Sequence, residues 1–593
     1  MAEGFLNRYN DELLALRRRA ARFADAFPKI AGRLRMTGEV ADDPHVERLI
    51  QSFAYSAARV RQKLDDEFPE LTDGLLETLY PHYLAPLPSM SIVRFKPSDT
   101  LASVQTVPRH TEILAEPIGG EACRFRTTQN VDMAPVEITE ASLSGQPINA
   151  PISPYSGVAS CLRLSLQPLD DRKAFGDLGI ENLRLHISSP WQQAVAIHEI
   201  LANHTLGIAL ARHPDDRAAV FLPARNLSQV GFAPEQAMLP YPAPSFTGYR
   251  LLTEFFALPQ KFLFLDLQGL DTWKGETLEI FFYLKETDAK LERAVSARDF
   301  TLNATPVVNL FRQTCEPISV DGTRTEYPLL PDARRQRTRE IYAIDRVLLT
   351  GSLGQEEFCQ PFFGRAQRTG NSTTFWQSYR RFDDDDGTSD MEIAFVDRDR
   401  RFAGPTDSVA SVDTLCLNRD LPEQLPFGGG HPFLQLASGH EAVSGVEALI
   451  PPTPSVRMND QDGRNWRLVS HLLLNHLSLF DNEGAALKDV LSLYAFRDTP
   501  ETKQLVDALI RVHASNSTAR LGSGGMVPGT EIALEFDPAA IDRPSAFLFG
   551  SVLDRFFGLY TSVNSFTRLT VSMKGQSQPI AVWPARAAER PLL

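Results

Sequence analysis

The residues best suited to chemistry stand in a few short stretches. Asp383, Asp384, Asp385, Asp386 and Gly387 have the composition of a calcium loop, in which alternate carboxylates ring the ion and glycine makes the sharp turn. The register does not fit, because counting back from Gly387 puts Phe382 at the first ligand position and Ile393 where a bidentate glutamate is required. A solvated hairpin turn between strands at 379–382 and 391–396 is expected instead. Gly428, Gly429, Gly430 and His431 are glycine-rich, but a phosphate cradle needs a following helix start with Lys and Ser or Thr, and Pro432 follows here. Gly522, Ser523, Gly524 and Gly525 miss the G-x-S-x-G spacing of a serine nucleophile, since Leu521 holds the leading position. They read as a loop between a helix ending near Val512 and a strand at 531–536.

His471 and His476 are five apart, which puts them on different helix faces and excludes a zinc pair. His82, within Tyr80, Pro81, His82 and Tyr83, reads as a packed or hydrogen-bonded structural histidine. Asp65, Asp66, Glu67 and Glu70 are carboxylate neighbours, yet acid–base catalysis needs environments that push two pKa values apart, and nothing around them predicts burial. Glu70 complements the dipole of the helix that follows. Cys123, Cys161, Cys315, Cys359 and Cys416 lie far apart without a CxxC pair, so the sequence writes neither a disulfide framework nor a zinc cluster. No cofactor or metal signature is complete.

The elements that would position such residues belong to a large folded chain. Its 593 residues predict several domains, and 43% hydrophobic with 23% charged residues is ordinary for globular proteins. A net charge of −14 and a pI near 5.4 argue against a nucleic-acid binder, which needs a basic surface. Arg17, Arg18, Arg19 and Arg22 form a local basic stripe, read as a solvated or partner-facing helix surface. The first residues lack a basic segment followed by an apolar core, and no apolar run approaches a membrane span, so a cytoplasmic protein without direct membrane insertion is expected.

Tyr9, Leu13, Leu16, Ala20, Phe23 and Phe27 recur at spacings of four and three, which predicts a helix that stops at Pro28. A second helix is predicted from Asp43 at the cap and Pro44 inside it, with Val46, Leu49, Ile50, Phe53, Ala57, Val60 and Leu64 on one face. A short third helix at 71–80 precedes Pro81, Pro86 and Pro88. Two and a half helices complete a bundle poorly, so the apolar stripe must find a partner surface. Strand patterns follow at 91–95, 136–143, 183–187 and near Ile208 and Val220, with a helix at 191–202. Residues 251–258 and 552–559 match class for class, each before a strand, which suggests a duplicated helix–strand unit.

The fold class read from these patterns is an α+β multidomain protein: an N-terminal long-helix region, then β-rich domains, then a mixed α/β C-terminal domain. The expected divisions are 1–90, 91–300, 301–450 and 451–593, with proline-rich hinges near 86–97 and 451–454.

The stretches 9–16, 28–34, 43–53 and 64–84 resemble the opening of the TssF family, also called VasA or ImpG, of bacterial type VI secretion systems. Similar stretches recur at 241–270, 305–311, 417–422, 466–479 and 552–566, so the resemblance spans the chain. Ala304 departs from it, standing where the family is expected to have a cysteine.

The resemblance implies a structural baseplate subunit rather than an enzyme; a hydrolase with a dispersed active site is the alternative. It further implies a wedge core of two TssF copies and one TssG, with TssK trimers attached. Six wedges would surround the VgrG spike and the end of the sheath, where TssE also sits, with docking at the inner membrane through the membrane complex. The residues expected to meet a second copy and TssG are Tyr9, Leu13, Leu16, Phe23, Val46, Leu49, Phe53 and Val60. The competing expectation is that this stripe folds back on the chain's own β domain.

Overall fold

The computed structural model describes residues 9–10, 13–14, 16–17, 20, 23, 27–33, 36–37, 40–41, 43–65, 74–77, 79–170, 172–241, 245–352, 354–362, 374–382, 388–397, 408–457, 464–472, 484–497, 499–520, 525–561 and 565–587. The fold is mixed α+β with many sheets. Two compact units divide the chain: Met1–Leu84 with Met458–Leu474, and Ala85–Arg457 with Asn475–Leu593.

In the first unit the described residues between 9 and 23 are helical. Pro28, expected only as a stop, also opens a short helix, Pro28–Arg33, because its fixed φ suits a first helical position. Helix α1, Pro44–Asp65, starts where the cap signal places it, with the Asp43 carboxylate accepting from the His45 N–H at 2.9 Å. Pro81, likewise expected to end helical structure, begins the turn Pro81–Leu84. Helix Arg464–Leu472 also belongs to this unit.

The second unit is built around a closed six-stranded barrel. In order its strands are Ala304–Val308, Met90–Pro97, Val443–Ala448, Leu434–Leu436, Glu112–Ile118 and Glu121–Thr127. Strand pairing thus joins segments that are far apart in sequence. Side chains alternate across each strand. Val93, Phe95, Ile113, Ala115, Cys123, Phe125 and Val307 form one core, while Met90, Ile92, Ala304 and Val308 enter a second with Leu258, Phe264, Tyr342 and Leu417.

Four hydrogen bonds around two buried asparagines tie the barrel together and fasten it to the end of the strand Ser408–Leu417. Asn309 Nδ2 donates to the Arg124 carbonyl and to Asn418 Oδ1, both at 2.8 Å, and Asn309 Oδ1 accepts from the Asn418 N–H at 2.7 Å. Asn418 Oδ1 also accepts the Arg124 N–H at 2.9 Å, and neither asparagine is exposed.

A larger sheet runs Phe311–Thr314, Ser408–Leu417, Glu340–Gly351, Glu356–Pro361, Thr374–Phe382, Ser389–Asp397 and Tyr327–Leu329. Phe382 is paired with Ser389, and the acidic run 383–387 lies outside the described residues. Two further antiparallel sheets hold Asn182–Ile187 with Phe264–Gln268, and Thr205–Ala211 with Leu278–Leu284. Helices α2, Trp191–His204, and α3, Thr247–Ala257, both pack against α4, Arg543–Tyr560. The rings of Phe255 and Phe549 stack at 5.2 Å, and those of Tyr249 and Tyr494 at 4.7 Å. Glycine at 550 lets α4 approach the C-terminal sheet, since a Cβ there would stand 2.8 Å from Trp583.

Three sequence readings change. Residues 509–520 were expected to end a helix and enter a loop; the helix Pro500–Asp507 stops earlier and Leu509–Arg520 is a strand, paired along its length with Met526–Phe536. The run of Val, Ser, Thr and Asn in that segment suits a half-exposed ladder better than a helix. Residues 522–524, the expected loop, lie outside the described residues.

The duplicated unit is not present: the strand before α4 pairs parallel with the strand after it, whereas Leu227–Gln229 and Phe264–Gln268, which flank α3, pair antiparallel. The two expected hinges form one latch. Leu87 bridges Val456, Thr453 N–H donates to the Met90 carbonyl at 2.8 Å, and Ser91 Oγ donates to the Ile450 carbonyl at 2.7 Å.

Several buried ionic groups in this unit are paired. Glu254 and Lys261 are both fully buried and bonded to each other, and Glu254 Oε1 also accepts the N–H groups of Met238 and Leu239. Arg457 grips fully buried Glu340 at 2.7 Å and Asp420 at 2.8 Å, which holds the guanidinium above its usual range. Burial pushes His186, against the ring of Phe264 at 4.3 Å, down to about 3 and His198 down to about 4.

Two outcomes follow. Asn309→Ala removes three hydrogen bonds and strands their buried partners, and is expected to cost roughly 3 kcal/mol, read as a lower denaturation midpoint. Acidification should destabilise the fold: His186 and His198 are neutral when folded but take up protons near pH 6.5 when unfolded, so stability falls as pH drops from 6.5 toward 4. At pH 5 each costs about 2 kcal/mol, and His198→Leu should flatten the melting-temperature profile over that window.

Candidate assembly surface

The N-terminal helical segment and α1 together line an open apolar groove. Arg17 pairs with Glu47 at 2.5 Å, tying the two elements. Of the basic stripe, Arg18, Arg19 and Arg22 lie outside the described residues. Helix α1 turns its small residues inward: Ala54 and Ala58 are fully buried, while Leu49 is 69% and Phe53 64% exposed. Leu16, Ala20, Phe23, Val46, Leu49, Ile50 and Phe53 line a groove of about 400 Å³.

Five of the eight residues expected at an interface therefore stand together: Leu16, Phe23, Val46, Leu49 and Phe53. Tyr9 and Leu13 are half-buried on the same helical segment but do not line the groove. Val60 lies on α1, and its side chain is outside the described residues. Ala20 and Ile50 complete the lining; both sit on the predicted stripes but outside the set expected at the interface. Covering a side chain such as Leu49 or Phe53 is worth about 1.5–3 kcal/mol, so the groove suits a partner surface better than water.

The chemically suggestive stretches resolve into structural roles where they are described. Gly428, Gly429 and Gly430 all take positive φ in a tight turn closed by the Gly428–His431 bridge, and His431 Nδ1 meets Glu116 at 2.9 Å. The His82 ring packs on Tyr80 at 4.7 Å, and burial pushes it down to about 3, keeping it neutral. Among the described residues, no three of His, Cys, Asp and Glu gather as metal ligands, and no helix is long and apolar enough to cross a membrane. The side chains of His471 and His476 lie outside the described residues.

All five cysteines are buried and unbridged. Burial pushes the thiols up, to about 11 for Cys315 and about 12 for Cys123, Cys161, Cys359 and Cys416. Since the thiolate is the reactive form, these are packing groups.

A many-sheeted scaffold with several paired buried charges and, among the described residues, an open apolar groove on the N-terminal helices fits a protein that works by assembly. The comparisons agree. The family model described as Type VI secretion system, TssF, matches residues 1–590. The chain is 34% identical to the type VI secretion system component TssF1 of Pseudomonas aeruginosa, over 99% of both chains. A chain in the structure of the type VI secretion system TssK-TssF-TssG baseplate subcomplex matches with a TM-score of 0.75 and 26% identity, over 92% of this chain and 99% of that one. A chain of the baseplate complex from the type VI secretion system has the same fold, with a TM-score of 0.64 and 23% identity, over 99% of this chain and 100% of that one. The chain belongs to the TssF family of type VI secretion systems.

The thiol geometry has a direct test. Iodoacetamide at neutral pH should leave the native chain unmodified by mass spectrometry and should label five sites after unfolding in guanidinium.

Proposed function

We propose that this chain is a structural subunit of the type VI baseplate wedge, with two copies holding one TssG and carrying TssK trimers. The observation that carries this reading is the groove with Leu49 and Phe53 exposed on α1, in a chain that resembles TssF1 throughout its length. The neighbour of known structure, a chain of a TssK-TssF-TssG baseplate subcomplex, supports the choice of partners. In this reading the N-terminal long-helix region is the assembly element, and Tyr9, Leu13, Leu16, Phe23, Val46, Leu49, Phe53 and Val60 meet a second copy and TssG. The β-rich and C-terminal segments serve as the rigid body.

The wedge then works mechanically in the cytoplasm, docked at the inner membrane and ringing the VgrG spike beside TssE and the sheath. Rearrangement of the wedges releases contraction. A large apolar side chain at the centre of an interface carries more energy than a rim charge, which is why the stripe and not the surrounding arginines is assigned to it.

Leu16→Asp combined with Phe53→Asp should reduce recovery of TssG with a tagged chain at least ten-fold. Native mass spectrometry of the unaltered complex should show two copies of this chain with one smaller partner. Val582→Asp, a change at an exposed apolar residue of the second unit, serves as the control that retains assembly. Undiminished co-purification of the double variant would overturn the assignment of the groove, and loss of all folded protein would favour a stripe packed within the chain.

A further inference from the structure

A sheet edge is a row of unpaired N–H and C=O groups, and most sheets of the second unit end in ways that keep that row short. Among the described residues their terminal strands have two to four residues. At Val136–Ser144 a longer one is kinked by a bulge between Ile138 and Glu140, with the helix Ala289–Ala294 packed against it.

The strand Leu509–Arg520 is different. It has 12 residues, contains no proline and ends its sheet, paired only with Met526–Phe536. Its one irregularity lies at the start, between Leu509 and Arg511. Every second residue of an antiparallel strand turns its N–H and C=O away from its partner. Among the described residues nothing is bonded to those groups along 510–520.

This ribbon also overruns its sheet. Pairing of Met526–Phe536 with Phe566–Met573 begins at Thr530, so the rungs Ser517–Gly529, Thr518–Pro528, Ala519–Val527 and Arg520–Met526 have no third strand. Two strands alone are marginally stable in water, and a third secures them. The Met526–Phe536 side does not offer the place for one. Pro528 has no N–H to donate, and Phe566 crowds Gly529 so closely that a Cβ there would collide with its ring and carbonyl. The open side belongs to Leu509–Arg520, where Ser515, Asn516, Thr518 and Arg520 are exposed and residues 514–519 are Ala, Ser, Asn, Ser, Thr and Ala, none bulky enough to screen the backbone.

Charge selects the occupant. Residues 509–520 hold Arg511, His513 and Arg520 and no carboxylate, in a chain of net charge −14. Glu535 stands 3.5 Å from Arg511, and Glu531 is engaged by Arg568 at 3.0 Å and Ser517 at 3.1 Å. Arg520 is left without a carboxylate partner among the described residues.

We infer that residues 513–520 accept an extended acidic segment of a partner protein, which adds a third strand to the ribbon by main-chain hydrogen bonds and sets a carboxylate against Arg520. The site lies in the second unit, apart from the α1 groove, and rests on no assignment of the wedge partners. Main-chain pairing supplies the affinity, and opposite charge across the rungs decides which extended segments are favoured.

Hydrogen exchange of the full-length chain tests this, with a capped octapeptide Glu-Thr-Val-Thr-Glu-Val-Thr-Glu as the probe. Without peptide the outward amides of 513–520 should exchange fast, and excess peptide should slow them at least ten-fold. The same peptide with every amide N-methylated keeps its charge but has no N–H to donate, and should give no protection. A peptide with Lys for Glu should bind at least ten-fold more weakly, and Arg520→Glu should weaken the acidic peptide at least three-fold. The proposal is overturned by unchanged exchange at 513–520, by equal protection from the N-methylated or the lysine peptide, or by indifference to Arg520→Glu. Protection that appears without peptide as chain concentration rises, with a dimer in native mass spectrometry, would also overturn it, in favour of edge pairing between two copies.

Discussion

The asparagine pair at 309 and 418 is the constraint on which the second unit depends. A closed barrel removes free edges, but this one closes only if the strand Ala304–Val308 lies between Met90–Pro97 and Glu121–Thr127, with Leu434–Leu436 and Val443–Ala448 completing the ring. Those strands arrive from distant parts of the chain, so their alignment cannot rest on tight turns. The reciprocal amide bonds of Asn309 and Asn418, shared with the Arg124 backbone, fix the end of one barrel strand, the side of another and the start of the large sheet at one buried point. An apolar pair there would pack as well and would fix nothing, because dispersion is not directional.

The same economy of position runs through the charged interior. Glu254 bonds Lys261 and two backbone N–H groups at once, holding α3 against the loop at 238–239. Arg457 joins the strand Glu340–Gly351 to the turn at Asp420, beside the latch formed by 85–92 and 450–456. Such pairs stabilise little in net terms, since desolvation offsets attraction, but breaking one is costly, so they select one arrangement. Against that background one surface stands out as unfinished: the large apolar side chains on α1 where alanines face inward. An assembly subunit has reason for it, because the energy left unrealised in the free chain is recovered when a partner covers the surface.

Sequence alone determined what local physics controls. The capping of α1 by Asp43 and Pro44 was legible because a cap is a relation between neighbours, and the strands around Ile92, Ile138, Leu185 and Phe566 were legible because alternation is too. The apolar stripe was visible as a stripe, and the failed registers at 428–431 and among the histidines already pointed away from catalysis. Full-length resemblance to TssF followed from residue stretches that need no coordinates. Only the tertiary structure decided which side of α1 faces inward, since Ala54 and Leu49 are both compatible with a helix and their burial is set by what packs beside them. It decided that 509–520 is a strand, because the ladder with 526–536 outweighs weak local propensity. It brought Asn309 to Asn418, since that encounter joins segments whose separation in sequence carries no distance information: strand pairing and packing, not neighbouring residues, set the distance between them.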